Sequence, residues 1–300
     1  MTAAPANLPD YQKQTPEVAA RFSRLLQREV ALSVRNLTKT FETPRGTVTA
    51  LENVSFDVHK REFLSVIGPS GCGKSTLVRI LAGLETPSSG EIRVYDQPVS
   101  GAGPDRGMVF QGYTLFPWLT VKQNVMFGPK IAGASSFRAE SEARQWIELV
   151  GLSKFENSYP HQLSGGMKQR VAIARALANQ PRVLFMDEPF GALDAQTRCQ
   201  MQTYLLEIWK NVDITIVFIT HDLDESVFLS DRILVLDAHP GRVREIVQVP
   251  VPRPRSSPQL FEPDFIATRH HIDTLIHPAQ SHAREEFPVL KFTKADPDII

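Results

Sequence analysis

The sequence predicts an α/β fold with a mainly parallel sheet, an antiparallel β subdomain and a helical subdomain. Three observations carry this. The apolar run Phe63–Ile67 leads into a Gly-rich turn and then into helical spacing at Leu77, Ile80 and Leu81, the order strand, loop, helix. Two further buried-strand candidates, residues 183–186 and 214–219, enclose a stretch in which Met201, Leu205, Ile208 and Trp209 share a helical face. Between about residues 112 and 161 the alternation stops, and the helical pattern Ala143, Ile147, Val150 without a convincing strand marks an insertion.

In chain order, residues 1–30 read as a partly disordered extension, with the polar, Pro-containing stretch 1–14 expected to be mobile. Thr15 is a helix cap and Pro16 suits the first helical position. Val18, Phe22, Leu25 and Leu26 then fall on one face, with Arg21, Arg24 and Arg28 largely elsewhere. Such a helix either packs on its own domain, frays, or docks on a membrane surface or partner. The main domain is expected over residues 31–250, with the helical subdomain at about 112–167. Its start alternates (Leu32, Val34, Leu37; Val48, Leu51, Val54, Phe56), as antiparallel strands do, with a turn near Pro44-Arg45-Gly46. Residues 251–300 comprise a Pro-, Arg- and Ser-rich connector, an amphipathic helix carrying Phe265, Ile272, Leu275 and Ile276, and a tail without period after Pro278.

Composition narrows the function classes. Lys+Arg and Asp+Glu balance at 33 each in 300 residues, which offers neither the basic footprint of a nucleic-acid binder nor an attraction to anionic lipid, so no nucleic acid is expected as a partner. No apolar run approaches the ~20 residues of a membrane span. The first residues lack the basic start and apolar stretch of a secretory signal. Cys72 and Cys199 alone make no disulfide framework, and a cytosolic location follows as the expectation.

The loop Gly68-Pro69-Ser70-Gly71-Cys72-Gly73-Lys74-Ser75 satisfies the phosphate-loop pattern in the right setting, after a strand and before a helix. Glycines let backbone N–H groups turn toward phosphate oxygens, and the helix start adds its dipole. Lys74 suits the β- and γ-phosphates and the Ser75 hydroxyl suits Mg²⁺, so ATP and Mg²⁺ are the expected ligands. The apolar strand before Asp187-Glu188 ends in two carboxylates, where open α/β sheets hold their ligands. Asp187 is expected in the Mg²⁺ shell and Glu188 to polarise the attacking water. Cys72 admits a redox reading, but a small residue tolerated in a crowded turn is the simpler one. His270, His271, His277 and His282 match no standard metal-ligand spacing and read as a polar helix face and tail.

Leu163-Ser164-Gly165-Gly166-Met167, preceding a helical pattern at Val171, Ala174 and Leu177, resembles the signature motif of ABC-type ATPases. Gln111 after a strand, Gly191-Ala192-Leu193-Asp194 after Glu188, and His221 after residues 214–220 fall in the family's order. The resemblance covers roughly residues 32–249. It implies the phosphate-loop NTPase core of an ABC ATPase. Phe41 would stack on adenine, and Gly68 to Ser75 with Thr76 would hold the phosphates. Two copies would sandwich two ATPs head to tail, each completed by Ser164, Gly165 and Gly166 of the other copy, with Asp194 crossing the interface. His221 would contact the γ-phosphate, Gln111 would sense metal and water, and Glu188, His221, Gln111 and Lys74 would form the catalytic set. Met167 departs from the commonest Gln, and Phe41 from the more usual Tyr. Because Glu188, His221 and Gln111 are all present, both sites of a homodimer are expected to hydrolyse ATP.

A narrower likeness lies in residues 115–121, in Asp187-Glu188-Pro189-Phe190-Gly191-Ala192-Leu193-Asp194, and in Ser230-Asp231-Arg232 through Pro240-Gly241-Arg242-Val243. These look like the nitrate/sulfonate/taurine-type importer subunits. That implies a peripheral protein on the cytoplasmic face of the plasma (inner) membrane, driving an integral membrane permease and served indirectly by an external substrate-binding protein. Phe116 and Trp118 would border the groove for a permease helix, or pack within the helical subdomain. The competing readings are a soluble ABC ATPase acting on ribosomes or nucleic acid, which usually carries paired domains or coiled coils, and a small-molecule kinase, in which the signature and His221 have no role.

Overall fold

The computed structural model describes residues 8–44 and 46–278. Arg45 of the predicted turn, the start of the predicted mobile stretch, and the tail with His282 lie outside them.

The elements that position the site are the strands of two sheets. Strands β1 (Val30–Thr43), β2 (Gly46–His59), β4 (Ser89–Val94) and β5 (Gln97–Pro98) form an antiparallel sheet of order β2-β1-β4-β5. The second has β3 (Phe63–Ile67), β6 (Arg106–Val109), β7 (Val183–Asp187), β8 (Thr215–Ile219), β9 (Arg232–Leu236) and β10 (Val243–Gln248), in the order β10-β9-β3-β8-β7-β6. All its pairings are parallel except the β9–β10 hairpin.

Alternate side chains of the central strands fill two cores, which is why these strands read as continuous apolar runs. Leu64, Val66, Phe185 and Val217 face the antiparallel sheet and Leu77, Val78 and Leu81 of helix α2 (Lys74–Leu81). Phe63, Ile67, Met186 and Phe218 face α5 (Gly165–Leu177), α6 (Ala195–Asn211) and α8 (Pro263–Ile276). The insertion holds α3 (Val121–Ile131) and α4 (Ser136–Leu149), and a third core joins them to α5 through Val125, Ala143, Ile147 and Val171.

Helix α1 (Pro16–Leu26) starts on its predicted cap, the Thr15 side chain accepting from Val18 N–H. Val18, Phe22 and Leu25 are buried, whereas Leu26, predicted on the same face, is 43% exposed. Arg21, placed off the apolar face, is engaged by the domain: its guanidinium donates to the carbonyls of Val249 and Val251 at 2.9 and 3.0 Å. The mobile start is corrected within 8–14 as well. Tyr11 Oη donates to Glu245 Oε1 at 2.9 Å, its ring stacks on His271, and Gln14 bonds Gln248. The connector is docked, since Arg253 pairs with buried Asp231 at 2.8 Å and Arg255 donates to the carbonyls of Phe228 and Ser230.

Candidate functional site

Strands β3, β8 and β7 are parallel neighbours, so their C-terminal ends share one edge. The loop after Ile67, the pair Asp187-Glu188 and the segment Thr220-His221 therefore emerge side by side. At Gly73 the chain turns with φ 91°, and a Cβ there would lie 2.9 Å from the Ala50 carbonyl oxygen, so only glycine fits. Lys74 is buried at the start of α2, its Nζ donating to the carbonyls of Gly68 and Pro69 at 2.8 and 3.0 Å. Thr76 lies half-buried in the first turn of the same helix. Burial pushes the Cys72 thiol above its ordinary value, the reverse of what an activated thiolate needs.

Ser75 Oγ donates to Asp187 Oδ1 at 3.2 Å. Glu188 has φ 43°, a left-handed backbone held by its N–H on the Ile219 carbonyl and by Gly191 N–H on its own carbonyl. Its Oε2 accepts from Gln111 Nε2 at 3.3 Å and lies 3.1 Å from His221 Nδ1. The candidate base, the amide and the imidazole thus meet on one oxygen. The oxygen donors of Asp187, Ser75 and Gln111 beside a second carboxylate suit a hard cation, so the residues present fit Mg²⁺.

The pH dependence of this corner can be signed. Burial raises the Asp187 carboxyl above its ordinary value; Ser75 opposes this and the Glu188 charge reinforces it. The native chain then keeps a proton that the unfolded chain has lost, so stability falls as pH climbs from the unfolded pKa through the raised native one. Asp187→Asn removes that penalty. Without nucleotide or metal, the variant is expected to exceed the parent at neutral pH by ~1 kcal/mol or less, and to lose the advantage below the carboxylate range. Thermal denaturation at both pH values checks this, and an unchanged or lower neutral Tm contradicts it.

Other sequence-predicted residues stand apart. Ser164 caps α5, accepting from Met167 N–H at 3.3 Å, and among the described residues no hydrogen bond joins residues 164–166 to the phosphate loop. Asp194 caps α6, taking Thr197 N–H at 3.0 Å and Thr197 Oγ1 at 2.7 Å. Phe41 pairs with Val48 in the antiparallel sheet, with Lys39 Nζ 4.8 Å from its ring centroid. Among the described histidines, His271 pairs with Glu245 and His277 with Asp273, and no metal-binding group forms.

Sequence reasoning missed three contributors. Asn124, fully buried, accepts from Phe116 N–H and donates to the carbonyls of Phe116, Leu119 and Thr120, which fixes the loop carrying Trp118. Its only sequence sign is its place directly before the apolar stretch Val125-Met126-Phe127, and the neighbouring amide Gln123 blurs it. Arg175, which holds the segment after Gln111 at Tyr113 and Thr114, and Tyr113, whose hydroxyl lies beside Gly165, give no sequence signal of their role.

Residues 51–191 match the ABC transporter family. An uncharacterised ABC transporter ATP-binding protein of Methanocaldococcus jannaschii is 53% identical over 227 residues, 76% of this chain and 85% of the relative. The nitrate import ATP-binding protein NrtD of Synechocystis is 45% identical over 260 residues, 85% of this chain and 98% of the relative. The aliphatic sulfonates import ATP-binding protein SsuB of Bacillus cereus is 44% identical over 227 residues, 76% and 89% of the two chains. Among solved structures, the ATP-binding cassette MJ0796, as a dimer bound to ADP and Pi, superposes with TM-score 0.64 at 33% identity, over 73% of this chain and 98% of its own. No helix of the described residues is long and apolar enough to cross a membrane. The chain belongs to the ABC transporter family and is an ATP-binding, ATP-hydrolysing member of it.

Proposed function

We propose that this chain is the ATPase subunit of an importer, with two copies closing head to tail over two ATPs and driving a separate membrane permease. The observation that carries this is the division of the site. Glu188, Gln111, His221, Asp187 and Lys74 gather at one sheet edge, while among the described residues Ser164, at the head of α5, shares no hydrogen bond with any of them. A second copy completes the first, its Ser164, Gly165 and Gly166 meeting the γ-phosphate and its Asp194 lying across the junction.

In this reading Phe41 stacks on adenine, and the backbone from Gly68 to Thr76 with Lys74 holds the phosphates. Asp187, Ser75 and Gln111 would hold Mg²⁺, which when bound neutralises phosphate charge. Glu188 takes a proton from water as the water oxygen bonds to Pγ and the bond to the ADP oxygen breaks; His221 holds the departing γ-phosphate. Loss of that phosphate removes the bridge between the copies, and the dimer opens.

Phe116 and Phe127, with Trp118 against Phe116, form an aromatic wall of a groove lined also by Arg106, Met108 and Arg175, and this groove suits a helix of the permease. The names of the relatives favour nitrate- or sulfonate-like anions as cargo, carried inward from an external binding protein, with this chain on the cytoplasmic face of the membrane. The domain limits 31–250, with the insertion near 112–167, belong to the same reading.

Co-expression with a candidate membrane permease from the same organism tests the assignment. The two are expected to co-purify, and ATPase activity in vesicles is expected to rise several-fold when nitrate or an alkanesulfonate is supplied with the binding protein. Activity stimulated by ribosomes or DNA instead of the permease contradicts the assignment.

A further inference from the structure

Arg175 lies in the last turn of α5, the helix capped by Ser164, and among the described residues it has no carboxylate partner. Nη1 donates to the Thr114 carbonyl at 2.7 Å; Nη2 donates to Thr114 Oγ1 at 2.8 Å and reaches the Tyr113 carbonyl at 3.4 Å. Thr114 has φ 47°, a left-handed conformation that β-branched residues avoid. One planar fork thus grips both oxygens of a residue whose backbone is unfavourable by itself.

The segment it grips runs between two places that matter. At one end Gln111 donates to Glu188 at 3.3 Å. In the middle, the Tyr113 hydroxyl sits so close to Gly165 that a Cβ there would be 3.0 Å from it. At the other end the Arg175 guanidinium lies over the Phe116 ring, 5.6 Å from its centroid, and that ring meets Phe127 at 4.4 Å and Trp118 at 5.6 Å.

We propose that Arg175 is a positioning residue that clamps residues 111–116 into one arm, joining the aromatic wall of the groove to the Gln111–Glu188 contact. The inference rests on reading Glu188 and Gln111 as the hydrolytic pair and the groove as the docking surface. With the fork in place, Thr114 stays left-handed and movement at Phe116 reaches Gln111. Without it, Thr114 relaxes toward negative φ and the two ends move independently.

Trp118 reports the groove end, being 69% exposed and one of three tryptophans. Its emission is isolated by subtracting that of a Trp118→Phe chain, and the probe is β,γ-imido-ATP with Mg²⁺. In the parent, the analogue is expected to change Trp118 emission. In Arg175→Gln that response is expected to fall about threefold or more while affinity for the analogue stays within about threefold, a split that general loss of structure does not give. Arg175→Lys keeps the charge but not the fork, is expected to lose the response likewise, and carries the test if Arg175→Gln does not fold. Parent-like responses in the variants that fold overturn the clamp, as does a parent that binds the analogue without a Trp118 response. A parent that does not bind the analogue overturns the reading of the nucleotide site beneath it.

Discussion

Glu188→Gln is expected to slow steady-state ATP turnover by about two to four orders of magnitude while ATP affinity stays within about threefold. The side chain keeps its length and its oxygen acceptor, so Gln111 Nε2 still finds a partner where it now bonds Glu188 Oε2 at 3.3 Å. What is lost is the capacity to take a proton from water. The left-handed backbone of Glu188 is held by main-chain bonds to Ile219 and Gly191, which the substitution does not touch. The defect is therefore chemical and not conformational. Phosphate release in the steady state, set beside equilibrium nucleotide titration, separates the two. Undiminished turnover assigns the base elsewhere.

Lys74→Ala is expected to act on the earlier step, weakening ATP binding by about a hundredfold or more. Lys74 Nζ is buried inside the loop that would wrap the phosphates, and both its oxygen partners are carbonyls of that loop, Gly68 and Pro69. The ammonium is thus held in place without a carboxylate to compete with phosphate oxygens. Removing it leaves the triphosphate charge uncompensated and those carbonyls without a donor. Titration with a fluorescent ATP analogue checks this. Parent-like affinity in the variant contradicts the placement of Lys74 at the phosphates.

The phosphate-loop side of the candidate site was legible because its residues are local in sequence. The phosphate loop needs its glycines, Lys74 and Ser75 within eight consecutive positions, and the carboxylates follow directly on a strand whose buried faces exclude polar residues. The central sheet was legible for the same reason, as apolar runs. The strand β9 was missed although four of its five residues are apolar, because it begins with Arg232, whose charge is buried against Glu62 at 2.6 Å. Strand β4 was missed because only Ile92 and Val94 of its six residues are buried. The docking of the chain start was invisible for another reason. Tyr11 and Gln14 find their partners 234 positions away, and a polar segment gives no periodic sign of such contacts. The left-handed Thr114 lies further from reach, since its conformation is imposed by Arg175 rather than favoured by its own residue type.

Sedimentation of the Glu188→Gln chain with and without ATP·Mg²⁺ tests most directly whether the ATP site is completed by a second copy. Without nucleotide a single species of 33.6 kDa is expected. With saturating ATP, which this variant holds without hydrolysing, the mass is expected to double, with one ATP retained per chain. A chain that binds ATP stoichiometrically yet stays at 33.6 kDa would contradict the two-copy site.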